Sequence, residues 1–457
     1  MRAFHLILTA CLIFSLQGFL TGGVSDLSDP QTPQGGLTQL PHADLKSDPQ
    51  TPQGGLKNHQ DNYRDSQGGL MQLPHVDLKS DPQTPQGGLK NHQDNYRDSQ
   101  GGLYYIDPKS PLGDLGVDHP IRIGLLLPDK NSLAARNGAE LAINNANRKG
   151  GKNEIEFELV VRTMEGPWGT GSKQAVTMIF DEDVVAILGS HDGRNAHLVE
   201  QVSAKSRVVF LSAWSGDPTL AQAFVPWFFN CVYNDVQVSD ALSEEIYIKK
   251  KLEKIAVVSD NVYDSGSTLK NFLKKVKSDG RPEPIHLIIN DAKKDLQDIA
   301  AKLKAADIDC IVLFVQPPVS LMFIEQLKLN KMNQPIYGTL AQLDENKITT
   351  EDMKTYENVR FVSPVNFMSK PGISFVEEYM KKYGTQPGVA AAYAFDGMNV
   401  LIEAIKTGGT ERELLQKAMT DINYEGVTGT VQFDCKGNRV GAPGFVEIKN
   451  RIPVPLK

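Results

Sequence analysis

A chain of 457 residues, 40% of them apolar, has the apolar content of two ordinary domains. A formal charge of −7 argues against a nucleic-acid partner, which needs a basic face. Beyond the first two dozen residues no run approaches the roughly 20 apolar residues of a membrane span, so the remainder is expected to be soluble.

Residues 1–23 have the make-up of a secretory signal. Arg2 supplies a positive start, residues 4–20 are mostly apolar, and Thr21, Gly22 and Gly23 give a small-residue end. A membrane anchor is the rival reading, but Ser15, Gln17 and Gly18 interrupt the run. Leu8-Thr9-Ala10-Cys11 looks like a lipoprotein cleavage box, yet it sits very near the start with apolar sequence beyond it. Export to the periplasm is therefore expected, without a lipid at Cys11. Cleavage leaves Cys231, Cys310 and Cys435, which cannot all pair within one chain. Cys310 lies in an apolar run and is expected in the core; Cys435 is expected in a turn, as a free thiol. No spacing suggests zinc, and no cofactor is expected.

Residues 24–119 are repetitive. Residues 47–70 recur without change as residues 80–103, and Gln-Gly-Gly-Leu occurs five times. Pro and Gly recur throughout and no helical apolar pattern is present. This composition cannot bury enough apolar surface to offset the entropy of ordering, so a disordered tether is expected. His42, His59, His75 and His92 recur within it and are read as bystanders.

From residue 121 strands and helices alternate. Residues 121–127 read as a first strand and 135–148 as a helix closed by Gly150-Gly151. Strands follow at 155–162, 184–188 and 208–211, with helices at 172–180 and 195–205. The alternation continues with strands at 255–259, 285–289 and 310–315 and helices at 267–276, 296–305 and 321–329. The strands are unbroken Val/Ile/Leu runs, as in sheets covered on both faces. This is a parallel α/β pattern, and roughly 340 residues is too much for one core, so two lobes are expected. Ligands of such sheets sit beyond the carboxyl ends of the strands. That rule points to the loops Ser190-His191-Asp192-Gly193-Arg194-Asn195 and Ala213-Trp214-Ser215-Gly216-Asp217.

Several stretches carry a resemblance to a known family. They are Gly138-Ala139-Glu140-Leu141-Ala142-Ile143-Asn144-Asn145, Ala186-Ile187-Leu188-Gly189-Ser190, Leu211-Ser212-Ala213 with Asp217-Pro218-Thr219-Leu220, Ile255-Ala256-Val257-Val258 with Tyr263, Ala391-Ala392-Tyr393-Ala394-Phe395-Asp396-Gly397, and Gly426-Val427-Thr428-Gly429-Thr430-Val431. In this order the chain resembles the type I periplasmic solute-binding proteins, in particular the leucine/isoleucine/valine-binding branch that serves ABC importers. The resemblance implies two Rossmann-like lobes joined by three crossover strands. Lobe 1 would hold residues 120–236 and 363–426, and lobe 2 residues 237–362 and 427–457. A small-molecule ligand would bind in the cleft, which closes by hinge motion, and an importer permease would receive it. A monomer is expected.

By the same resemblance, Gly193, Arg194 and Asn195 in the first loop and Trp214, Ser215 and Gly216 in the second would hold the ligand. Main-chain N–H groups at a helix start suit a carboxylate. Tyr263 would face it from lobe 2, with further positions near Pro317-Pro318 and Leu340. The family's serine-rich first loop is replaced here, and a standard branched-chain amino acid is in doubt. Arg194 would supply a carboxylate contact in its place, or else is a solvated charge. Trp214 and Trp168 are expected at the cleft, Trp227 in the core, and Asp396 in a structural role.

Enzyme readings are weak. Gly166 to Lys173 misses a phosphate loop because Ser172 and Lys173 are transposed. Ser215 lies outside a nucleophile elbow, and His191 and His197 are badly spaced for a shared metal. The expected function is extracytoplasmic capture of a small amino-acid-like or amide-like solute for an ABC importer, without catalysis. The alternative is a ligand-sensing receptor component that passes occupancy to a signalling partner.

Overall fold

The computed structural model describes residues 120–149 and 155–456, with the short segments 96–97 and 103–104. The signal sequence, Cys11 and nearly all of the repeats lie outside the described residues. At the end of the second repeat copy, Tyr96–Arg97 (β1) pairs antiparallel with Leu103–Tyr104 (β2). This local pairing was not expected from the Pro- and Gly-rich composition.

The first sheet is wholly parallel, in the order β4-β3-β5-β6-β7. Its strands are Ile121–Leu127 (β3), Phe157–Thr163 (β4), Ala186–Gly189 (β5), Val209–Ser212 (β6) and Phe228–Asn230 (β7). The short apolar runs form β5 and β6, every residue of which is buried. One face is covered by Thr170–Phe180 (α2) and Gly193–Ser206 (α3), through Met178, Ile179, Ala196 and Val199. The other face is covered by Leu133–Lys149 (α1) and Val389–Gly408 (α10). These two helices approach so closely that a Cβ at Gly138 would overlap the Ala391 carbonyl. Only glycine allows that contact.

The second sheet has the order β16-β15-β12-β11-β10-β8-β9. Ile255–Ser259 (β8), Ile285–Ile288 (β9), Cys310–Phe314 (β10), Ile336–Gly338 (β11) and Arg360–Val362 (β12) are parallel. Phe445–Lys449 (β15) and Ile452–Pro455 (β16) join antiparallel at the edge. Asp235–Ser243 (α5) and Tyr263–Ser278 (α6) cover one face of this sheet, and Ala292–Ala305 (α7) and Val319–Leu329 (α8) the other. Cys310 is buried and Cys435 is an exposed free thiol in a turn.

The chain passes between the two sheets three times: after β7, after β12, and after the hairpin Tyr424–Gly426 (β13) and Gly429–Val431 (β14). These passages are short irregular segments, where crossover strands were expected. They are tied to one another by single bonds, such as Asn230 N–H to the Gly437 carbonyl and Asn366 N–H to the Val427 carbonyl. The segment between β12 and β13, including Lys370–Tyr383 (α9) and Arg412–Thr420 (α11), returns to pack on the first lobe. Among the described residues no helix is long and apolar enough to cross a membrane.

Candidate functional site

A cavity of about 660 Å³ opens where the carboxyl ends of the two sheets face each other. The first lobe contributes the loops after β3, β4, β5 and β6; the second contributes those after β8 and β10 and the turn at Asp344–Lys347. The rule that parallel sheets bind ligands beyond their strand ends therefore applies to both halves at once.

Five of the eight expected residues line this cavity: Trp168, Arg194, Asn195, Trp214 and Tyr263. Arg194 is exposed and stands over two rings, its Cζ 6.0 Å from the Trp168 centroid and 5.2 Å from that of Tyr263. Such stacking holds a guanidinium in one orientation while leaving its N–H groups free for an anion. Trp168 lies at the rim, 67% exposed, and Trp214 is half-buried. Trp227 is in the core. Asp396 is fully buried away from the cavity.

Gly193, Ser215 and Gly216 do not line the cavity, which corrects the expectation for these three. Ser215 is completely buried; its Oγ accepts the Asp217 N–H and its carbonyl accepts from Asn230. The Gly216 carbonyl accepts the Asp235 N–H, in the first turn of α5, at 2.7 Å. The Gly193 N–H donates to Asp264 Oδ1 at 3.0 Å. Of the N–H groups expected to meet a ligand carboxylate, that of Asn195 is also taken, by its N-cap Asp192 at 3.0 Å.

The lobes meet through acceptors of the second lobe seated on helix starts of the first. Asp264 receives the Gly193 N–H of α3. Glu345 receives those of Ala390 and Ala391 in α10, at 2.8 and 2.7 Å. Asn346 Oδ1 receives that of Ala134 in α1, at 3.0 Å. Each bond satisfies a donor that the helix itself cannot pair, and the helix dipole favours the two carboxylates. The Tyr263 hydroxyl adds a bond to Asp217 Oδ2 at 2.8 Å.

Burial sets the acidity of these groups. It pushes Asp264 up to about 6, aided by Asp192 and Asp217 and opposed by the Gly193 N–H. Glu345 is pushed up to about 7 by burial, against the pull of the α10 N–H groups. Asp235 is also pushed up to about 7 by burial, with Ser267 and Thr268 opposing. For Asp217 burial is outweighed by hydrogen bonds from His197, Thr219 and Tyr263, which hold it well below the usual carboxylate range. His197 is raised to about 9 by Asp217 and Glu200, so it is an imidazolium locked in a pair. His191 lies flat on Phe210, and burial lowers its pKa. Among the described residues no cluster suited to a metal is present.

A family model described as periplasmic binding protein matches residues 120–447, well over half of the chain. The chain belongs to the periplasmic binding protein family. This periplasmic binding protein is similar to Leu/Ile/Val-binding protein homolog 1 of Brucella abortus (strain 2308), at 22% identity over 352 residues, 74% of this chain and 91% of the relative. Among solved structures it resembles the branched-chain amino acid substrate-binding protein LivJ of Streptococcus pneumoniae in complex with isoleucine, with a TM-score of 0.65 and 20% identity, covering 74% of this chain and 99% of that one. It also resembles an R. palustris solute-binding protein in complex with benzoate, with a TM-score of 0.62 and 18% identity, covering 74% and 96%. At these identities the structures establish the fold, two parallel α/β lobes of the type I kind.

The expected residues of this periplasmic binding protein did not include Asp129, Asn131 and Ser132 of the first lobe or Asp264, Gln316, Asp344, Asn346 and Lys347 of the second, all of which line the cavity. Asp264 directly follows Tyr263 in the first turn of α6, and that adjacency was the one available signal.

Proposed function

We propose that this protein captures a small amino-acid-like or amide-like solute outside the cytoplasm, by closing two lobes over it, and delivers it to an ABC importer. One observation carries the reading: both lobes line a single cavity walled by Trp168, Trp214 and Tyr263, with the Arg194 guanidinium held between two of those rings. The volume suits a solute of roughly amino-acid to drug size. The relatives' names, which refer to Leu/Ile/Val, isoleucine and benzoate, support small organic solutes. The make-up of residues 1–23 supports export. Differential affinity for the closed state drives closure, and no bond is made or broken.

A thermal-shift screen of the full chain tests this. The panel spans aliphatic and aromatic amino acids, amides, carboxylates and quaternary amines. A true solute at about 100 times its Kd stabilises the protein by about 2.7 kcal/mol. The shift is expected to disappear in Arg194→Ala and Trp214→Ala. A shift that survives both substitutions places binding elsewhere and contradicts the reading.

A further inference from the structure

The site holds an acceptor where a bound anion is ordinarily best served. The start of a helix offers unpaired N–H groups and the positive end of its dipole. At α3 the first of these groups, the Gly193 N–H, is already bonded to the carboxylate of Asp264, from the opposite lobe. The N-cap carboxylate of Asp192 takes the Asn195 N–H and the Asn195 side-chain amide. A solute carboxylate brought to this end of the cavity would meet two carboxylates and no free Gly193 donor. Like charges at such distance in a partly desolvated site are strongly unfavourable.

The balance of charge along the wall points the same way. Asp129, Asp192, Asp264 and Asp344 line the cavity against Arg194 and Lys347. Lys347 is engaged with Asp344 at 3.6 Å and with the Gln316 side-chain carbonyl at 3.3 Å. The remaining cation, Arg194, holds its guanidinium over the rings of the exposed Trp168 and of Tyr263, with no ion pair to any of these carboxylates among the described residues. Only one oxygen of Asp264 is taken by Gly193, which leaves the second as an acceptor on a residue that lines the cavity.

We infer that Asp264 is a specificity-determining residue: its carboxylate fills the anion seat at the start of α3 and selects solutes that present an ammonium, guanidinium or amide N–H there, rather than a carboxylate. The inference rests on the solute-binding reading of the cavity. It orients the solute: a nitrogen end lies inward against Asp264, and any acidic or aromatic end lies outward against Arg194 and Trp168.

The test uses the full chain at pH 7, where Asp264 is mostly ionised and the L-leucinamide amine mostly protonated, with isovalerate as the anionic probe and L-leucinamide as the cationic one. The readout is the Gly193 backbone amide resonance, followed by NMR in the wild type, Asp264→Ala and Asp264→Ser. Two variants guard against one failing to fold, which a cooperative thermal transition checks. Isovalerate at millimolar concentration is expected to move the Gly193 amide in the variants and not in the wild type, with affinity rising roughly tenfold or more. L-leucinamide is expected to lose affinity by a similar factor in the same variants. Isovalerate moving the amide equally in wild type and variants overturns the inference, and so does isovalerate leaving it unmoved in both. These outcomes concern Asp264 alone. Failure of the solute-binding reading would show instead as a thermal-shift panel with no response sensitive to Arg194 and Trp214.

Discussion

Replacing Arg439 by methionine is expected to lower stability by about 3–5 kcal/mol, measured by equilibrium urea denaturation. Arg439 is 1% exposed, yet it carries a full charge. Its guanidinium donates to the Cys231 carbonyl at 2.8 Å, the Thr428 carbonyl at 2.6 Å and the Thr430 carbonyl at 2.8 and 3.1 Å, with a longer bond to Thr428 Oγ1. Its face lies 4.9 Å from the Tyr233 ring centroid. Methionine keeps most of the volume but leaves three carbonyls without their donors, each a desolvation cost of about 1–3 kcal/mol. Thr428 in turn donates to Asp396, whose buried carboxylate also accepts the Val427 and Thr428 N–H groups. The chain Arg439–Thr428–Asp396 ties the first passage between the lobes to the third, and both to α10. A variant within 1 kcal/mol of wild type would contradict this account of the passages between the lobes.

Stability is also expected to fall as pH rises from 5 to 8, by an amount on the order of a few kcal/mol. Asp235, Asp264 and Glu345 all have folded pKa values above the ordinary carboxyl range, at about 7, 6 and 7. Each binds its proton more tightly when folded than when unfolded. The stability so gained is complete below the ordinary carboxyl value near 4 and is lost as pH passes through 6 and 7. His197, raised to about 9, works in the same direction at higher pH. Glu345→Gln should flatten the profile: the amide oxygen keeps one of the two α10 N–H bonds and the other is lost at every pH, but no charge is buried above pH 7. Denaturation midpoints at pH 5, 6, 7 and 8 for both proteins check this. A profile that rises with pH, or one that the substitution leaves unchanged, contradicts it.

The β-strands of both sheets were largely legible because burial on both faces leaves a plain mark, an unbroken run of Val, Ile and Leu. Residues 121–127 and 255–259 form strands as read. Helix starts were placed late, as at α6, where Tyr263 to Gly266 lack apolar spacing and helix formation rests on packing. The antiparallel edge of β15 and β16 was not recognised, since its alternating burial is short and holds two prolines. Around the cavity, Arg194, Asn195 and Trp214 were legible because they follow buried strands directly, whereas Asp129, Asn131 and Ser132 after β3 were not singled out. The acceptors of the second lobe were not, because nothing local in Asp264, Glu345 or Asn346 shows which helix start each will face across the cavity. Gly193 was misassigned for the same reason: its donor is real, but the partner comes from within the chain.

The most direct test of the central claim is the distance between the lobes with and without solute. Spin labels at Lys173→Cys on α2 and Lys293→Cys on α7, both exposed positions, report it in a Cys435→Ser background. The solute identified by thermal shift is expected to narrow the distribution onto one short distance, and Arg194→Ala to prevent the change. A solute that binds tightly yet leaves the distances as they were would contradict capture by closure of the lobes.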